Sequence, residues 1–199
     1  MFSFTAPSSC APASLKSFYR QLSRKRHSLT VCLLLLCASG ARAQTAVATF
    51  STGSAPQAAA MNPVTNTLYV ANYNSANVTV INGVTGATST VAVGSNPDAI
   101  AVNPVTNQIY VANYGSDTVT VINGATLTVA ATVAAGAKPD AIAVNPVTNQ
   151  IYVADYGASV YDNASVTVID GATNTVTATV TSGTYSVAIA VNPDRKSVV

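Results

Sequence analysis

NPVTNQIYVANYGSDTVTVINGATLTVAATVAAGAKPDAIAV, residues 103–144, is the stretch whose reading decides the fold. Its apolar residues fall in short runs rather than at helical spacing: QIYVA (108–112), TVTVI (118–122) and TVAATVA (128–134), preceded by AIAV at 99–102. Val, Ile, Thr and Tyr dominate these runs, and such side chains suit a pleated, half-buried surface. Between the runs stand turn formers: NPVTN, NYGSD, NGAT and GAKPD. The spacing predicts four short strands joined by tight turns.

The same text recurs on both sides. One copy starts at Asn62, the next at Asn103 and a third at Asn145, while Asn192-Pro193 opens a fourth. The periods are 41, 42 and 47 residues, the last lengthened by an insertion at 158–164. Four strands per repeat of this length is the pattern of a β-propeller blade. A parallel β-helix is the structural rival, but its coils are shorter and need no hairpin turns. The expected fold is therefore all-β, with blades near 57–94, 98–136 and 140–182 and the start of a fourth at 185, about three and a half blades. Thr45–Phe50 reads as a lone outer strand. The partial fourth repeat reads as an interrupted propeller, and DRKSVV at 194–199 reads as a non-biological tail, because it translates a common sequencing-adaptor sequence.

The strand cores LYVAN (68–72), IYVAN (109–113) and IYVAD (151–155), the NPVTN turns and the VING or VIDG strand ends carry a resemblance. They resemble the bacterial YVTN-family, YncE-like β-propeller repeats that also occur in surface-layer-type proteins. Ala stands where the name-giving Thr would be. The resemblance spans residues 44–193 and implies architecture more than activity.

Charge is divided unevenly along the chain. Six of nine basic residues and the single His lie before residue 44, whereas from Gln44 onward Lys138, Arg195 and Lys196 face seven Asp. Such a body has no phosphate-neutralising patch, so nucleic acid is not an expected partner. It also has no His, Cys or Glu, which leaves no metal site or thiol chemistry to expect and no cofactor. The basic SRKRH (23–27), the apolar run 29–38 and Ala41-Arg42-Ala43 read as a signal peptide over 1–43. The run is about half a membrane span, so no span is expected after cleavage. The three Cys, at 10, 32 and 37, leave with the leader.

In a propeller the AIAV-type strand is innermost, followed outward by the YVAN, VTVI and VAATV strands. NPVTN and NGAT then share one face, and NYGSD and GAKPD the other, where propeller loops converge on the channel mouth. The candidate ligand-binding residues on that second face are Asn72, Tyr73, Asp98, Asn113, Tyr114, Asp140, Asp155, Tyr156, Tyr161 and Asp162, with Asp117 and Lys138 nearby. Each also has a structural reading. Asp98 and Asp140 follow prolines and suit turn fixing; Gln57 and Ser186 occupy the same register elsewhere, so no full carboxylate ring is maintained. Asn72, Asn113 and Asp155 suit bonds to nearby backbone, and the tyrosines suit packing between blades. Tyr161 and Asp162 belong to the insertion, the least repeat-like element.

The function expected from these features is that of an exported, non-catalytic propeller scaffold, binding an unknown protein or surface ligand in the periplasm, outside the cell or at its surface. The alternatives are a fragment of a lactonase-like or quinoprotein-dehydrogenase-like enzyme, and a structural surface-layer repeat.

Overall fold

The computed structural model describes residues 48–159, 163–192 and 197–198. The expected leader, Tyr161, Asp162 and most of the 194–199 tail lie outside the described residues. The first sheet holds β1 (Pro56–Asn62), β2 (Thr67–Asn72), β3 (Asn77–Asn82) and β4 (Thr88–Ala92). The second holds β5 (Pro97–Asn103), β6 (Gln108–Asn113), β7 (Thr118–Asn123) and β8 (Thr128–Ala134). The third holds β9 (Pro139–Asn145), β10 (Gln150–Asp155), β11 (Ala164–Asp170) and β12 (Thr175–Gly183). Each is a four-stranded antiparallel meander in chain order, and the described residues contain no helix. This is the architecture of propeller blades, as expected.

The strands β1, β5 and β9 lie side by side, and the outer strands face water; β12 is exposed along its whole length. Between the blades lie two apolar layers. In the first, Tyr69, Val78 and Val80 meet Ile100, Ile109, Val111 and Ile122. In the second, Tyr110, Val119 and Val121 meet Ile151, Val153 and Ile169. A strand buried on both faces must be apolar at consecutive positions, which is why IYVA and VTVI lack the usual alternation.

Each NPVTN turn is built by the Asn that ends an inner strand. Asn62 Oδ1 accepts the backbone N–H groups of Val64 and Thr65 at 2.9 and 3.4 Å, and Asn103 and Asn145 repeat this. The fifth residue, Asn66, Asn107 or Asn149, takes positive φ near 50°, which Asn tolerates. Its carbonyl accepts the N–H of Gly83, Gly124 or Gly171, all at 2.8 Å, so the NPVTN and VING turns share a face. At Gly124 an added Cβ would sit 2.7 Å from the Asn107 carbonyl oxygen, so the glycine is required by close approach.

The two ends differ from expectation. The inner strand expected over 185–191 is regular only at β13 (Val191–Asn192), which pairs with β14 (Ser197–Val198) and lies beside β9. Residues 48–50 of the expected outer strand carry no regular structure, although the Phe50 ring lies close against Gly86.

Candidate functional site

On the face opposite NPVTN, a cavity of about 340 Å³ is lined by Gln57, Tyr73, Asp98, Tyr114 and Asp140. Its geometry follows from a recurring irregularity in the sheets. Pro56 pairs with Asn72 and Ala58 with Ala71, leaving Gln57 as an extra residue with no partner across the ladder. Asp98 is the extra residue between Pro97 and Ala99, and Asp140 between Pro139 and Ala141. Such a bulge re-aims one side chain at the start of a strand. Here it presents one polar group from each blade to the same cavity. The tyrosines arrive from the turns after β2 and β6, where Tyr73 N–H and Tyr114 N–H bond the carbonyls of Ala55 and Asn96 at 2.9 Å.

The Asp98 carboxyl is pushed from 3.8 up to about 6, first by burial, then by a shared hydrogen bond and charge repulsion with Asp140, with Gln57 opposing weakly. Partial removal from water and the like charge beside it both disfavour the ionised form of Asp98. The Tyr114 phenol is also raised, by burial first and then by Tyr156, Asp140 and Asp98.

The structure separates the sequence candidates into groups. Tyr73, Asp98, Tyr114 and Asp140 converge on the cavity, joined by Gln57, which in the sequence stands out only as a break in the carboxylate ring. Asn72, Asn113 and Asp155 do not reach it; all are 0% exposed. Asn72 Nδ2 donates to Thr79 Oγ1 and Asn113 Nδ2 to Thr120 Oγ1, each at 2.9 Å. Asp155 Oδ2 accepts from Thr167 and Ser165 hydroxyls at 2.7 and 2.9 Å. These residues clamp blade to linker, because Gly53, Gly94 and Gly136 pack directly on them. Burial raises the Asp155 carboxyl, and its hydrogen bonds to Thr167, Ser165 and Gly136 pull it partly back.

Tyr156 stacks instead on Tyr185, with ring centroids 4.8 Å apart and planes at 48°. Asp117 accepts the Lys138 N–H at 2.8 Å, and Lys138 Nζ donates to the Ala158 carbonyl at 3.0 Å, so both serve the loops. The insertion replaces the four-residue β2–β3 and β6–β7 turns on this face with residues 156–163. No group of three or more His, Cys, Asp or Glu suited to a metal ion occurs among the described residues, and no helix long and apolar enough to cross a membrane occurs among them.

A pH dependence follows. The folded Asp98 binds a proton more tightly than the unfolded one, so its contribution to stability is complete below about pH 3.8 and is lost as the pH rises through about 6. Asp155 acts in the same direction. Thermal melts should therefore show Tm falling between pH 4 and 6.5. Asp98→Asn should flatten that slope, leaving the part Asp155 carries; an unchanged slope would contradict the raised Asp98 carboxyl.

No protein-family model and no curated protein matches the sequence. Solved structures do resemble it. Hydrazine synthase from Kuenenia stuttgartiensis is 27% identical with a TM-score of 0.66, over 78% of this chain and 43% of that one. A functionally unknown protein from Desulfotomaculum acetoxidans DSM 771 is 16% identical with a TM-score of 0.57, over 69% of this chain and 45% of that one. The chain thus spans less than half the length of either. These neighbours are of propeller type and fit the three-blade architecture.

Proposed function

We propose that this is an exported, non-catalytic β-propeller binding module of the YVTN kind. Its polar mouth takes up a ligand that presents an amine or guanidinium group. The observation that carries this reading is the convergence of Gln57, Asp98 and Asp140, one from each blade, on one cavity that Tyr73 and Tyr114 also line. Carboxylates supply charge and directional acceptors, while tyrosine faces attract cations by their quadrupole. The leader at 1–43 supports export, and the paucity of basic residues after it favours a cationic partner over an anionic one. The likeness to hydrazine synthase supports the fold; the activity in that name belongs to that protein.

A tri-arginine peptide titrated into the full chain provides the test, followed by tyrosine fluorescence because the chain has no Trp. Saturable binding at pH 7.5 is expected to weaken below about pH 6, as Asp98 takes up its proton. Asp98→Asn with Asp140→Asn should reduce affinity at least about tenfold, the loss of one or two charge-assisted bonds. Absence of saturable binding, or binding indifferent to both substitutions, would overturn the assignment.

A further inference from the structure

Each of β2, β6 and β10 carries a tyrosine two residues after its first position, so those two side chains share a face. In the second and third blades the first position is Gln108 or Gln150, and its Oε1 accepts the Tyr110 or Tyr152 hydroxyl at 2.6 or 2.7 Å. The first blade breaks this pattern. Thr67 occupies the position, and its hydroxyl is engaged in its own turn, donating to the Thr65 carbonyl at 3.3 Å and accepting the Thr65 hydroxyl at 3.1 Å. Tyr69 is 0% exposed, and its hydroxyl is buried without a hydrogen-bond partner. A buried donor left this way is a standing cost that a suitable acceptor removes.

The short Thr67 side chain also leaves space. A groove of about 290 Å³ opens at the first joint, between the first and second blades, with Thr67, Val80 and Asn82 on one side and Gly124 and Leu127 on the other. Thr67 pairs with Asn82 and Tyr69 with Val80, so the groove lies over the part of the sheet that holds the Tyr69 ring. At the second joint, between the second and third blades, the Tyr110 hydroxyl reaches Gly171, where an added Cβ would meet it at 2.7 Å. Gly124 is the matching glycine at the first joint, so the same reach brings the Tyr69 hydroxyl to the groove. The volume is roughly ten times the share of one water in the liquid, which suits a small molecule better than a single bridging solvent.

The chemistry of the walls narrows the ligand. Leu127 takes a φ of 55° where the other blades have Gly86 and Asn174. A leucine is strained in that region, and here its side chain packs on the apolar layer of the joint. Asn82 Oδ1 is held by the N–H groups of Val84 and Thr85, which leaves its amide hydrogens to donate. No residue lining the groove is ionisable, so a charged ligand would find no counter-charge there.

We propose that this groove is a second binding site, for a small uncharged molecule that brings a carbonyl oxygen to the Tyr69 hydroxyl and lays a short aliphatic body against Val80 and Leu127. The carbonyl stands in for the carboxamide oxygen that Gln108 and Gln150 supply in the other blades. The site lies at the NPVTN end of the blades, opposite the polar mouth, and is independent of the function assigned to that mouth.

Isovaleramide titrated into the isotopically labelled full chain, under reducing conditions and followed by nuclear magnetic resonance, is the test. The backbone signals of Ser89, Gly124 and Ala125 should shift saturably at roughly millimolar concentration. n-Butylammonium, of similar size but charged, should leave them unmoved. Thr67→Gln installs the residue of the other two blades. It should abolish those shifts and raise the Tm by about 2–4 °C, because the Tyr69 hydroxyl then has its acceptor. Tyr69→Phe keeps the groove and removes the donor, and should weaken isovaleramide about fivefold. Absence of saturable shifts overturns the proposal. So does undiminished binding to either variant, and so does an equal response to n-butylammonium.

Discussion

Thr167→Val should lower stability by about 3–4 kcal/mol, because it strips one charge-assisted and one backbone hydrogen bond from a buried site. The Thr167 hydroxyl donates to Asp155 Oδ2 at 2.7 Å and accepts the Gly136 N–H at 3.1 Å. Valine fills the space yet leaves a buried carboxyl with Ser165 as its one hydroxyl donor beside the weaker backbone contacts of Gly136 and Thr167, and an Oδ1 that has no partner already. The same change in the second blade, Thr120→Val, disturbs the neutral amide of Asn113 and a longer 3.4 Å bond from Gly94, so it should cost less. Two further readings separate the cause from simple repacking. Asp155→Asn, which installs the residue found in the first two blades, should recover part of the loss. Urea titrations at pH 5 and 7.5 should show a smaller penalty at the lower pH, where the raised Asp155 carboxyl is closer to neutral. An equal penalty at both pH values, with no recovery by Asp155→Asn, would show that the charge is irrelevant.

This clamp also marks where the sequence was easy to read and where it was not. The second-blade strands were placed to within two residues, since QIYVA, TVTVI and TVAATVA became Gln108–Asn113, Thr118–Asn123 and Thr128–Ala134. Period, turn residues and β-branched content all point the same way there, so local and tertiary preferences agree. Of the five residues that line the cavity, four (Tyr73, Asp98, Tyr114 and Asp140) stand out in the sequence as candidates. Two things were hidden. One is the bulge: AIAV preceded by Pro-Asp reads as an ordinary strand entry, and nothing in it says that Asp98 or Asp140 lacks a cross-strand partner. Once the bulge is known, Gln57 belongs with them by register. The other is the direction of Asn72, Asn113 and Asp155. Polar residues at a strand end facing loops suggested ligand contact. Their recurrence instead reflects Gly53, Gly94 and Gly136, each packed on one of them, and the Thr two residues into the next strand that bonds it. A signal existed in that paired Gly and Thr spacing, but only the folded chain shows the two meeting.

Tyr110→Ala is expected to be the most damaging single change, at about 3–5 kcal/mol for removing a large buried aromatic ring. The ring is 0% exposed within the layer joining the second and third blades. Its hydroxyl donates to Gln108 Oε1 at 2.6 Å, and burial together with Asp170 pushes the phenol up to about 12, so it stays neutral throughout the working range. Blades stacked in a row draw stability from their nearest-neighbour joints. Weakening the second joint should therefore uncouple the third blade from the first two. Urea unfolding of Tyr110→Ala should show the third blade melting first, as an early phase that the parent chain lacks. The phenylalanine variants separate ring from hydroxyl. Tyr110→Phe removes a short, buried hydrogen bond and should cost about 1 kcal/mol. Tyr69→Phe is the internal control. Thr67 stands where Gln108 and Gln150 stand in the other blades, and it perturbs the Tyr69 phenol without making a hydrogen bond of good geometry. That change should cost nothing, or even stabilise, because it removes a buried polar atom that has no partner. Equal losses for the two phenylalanine variants would place the energy in the rings and deny the Gln108 bond any net role.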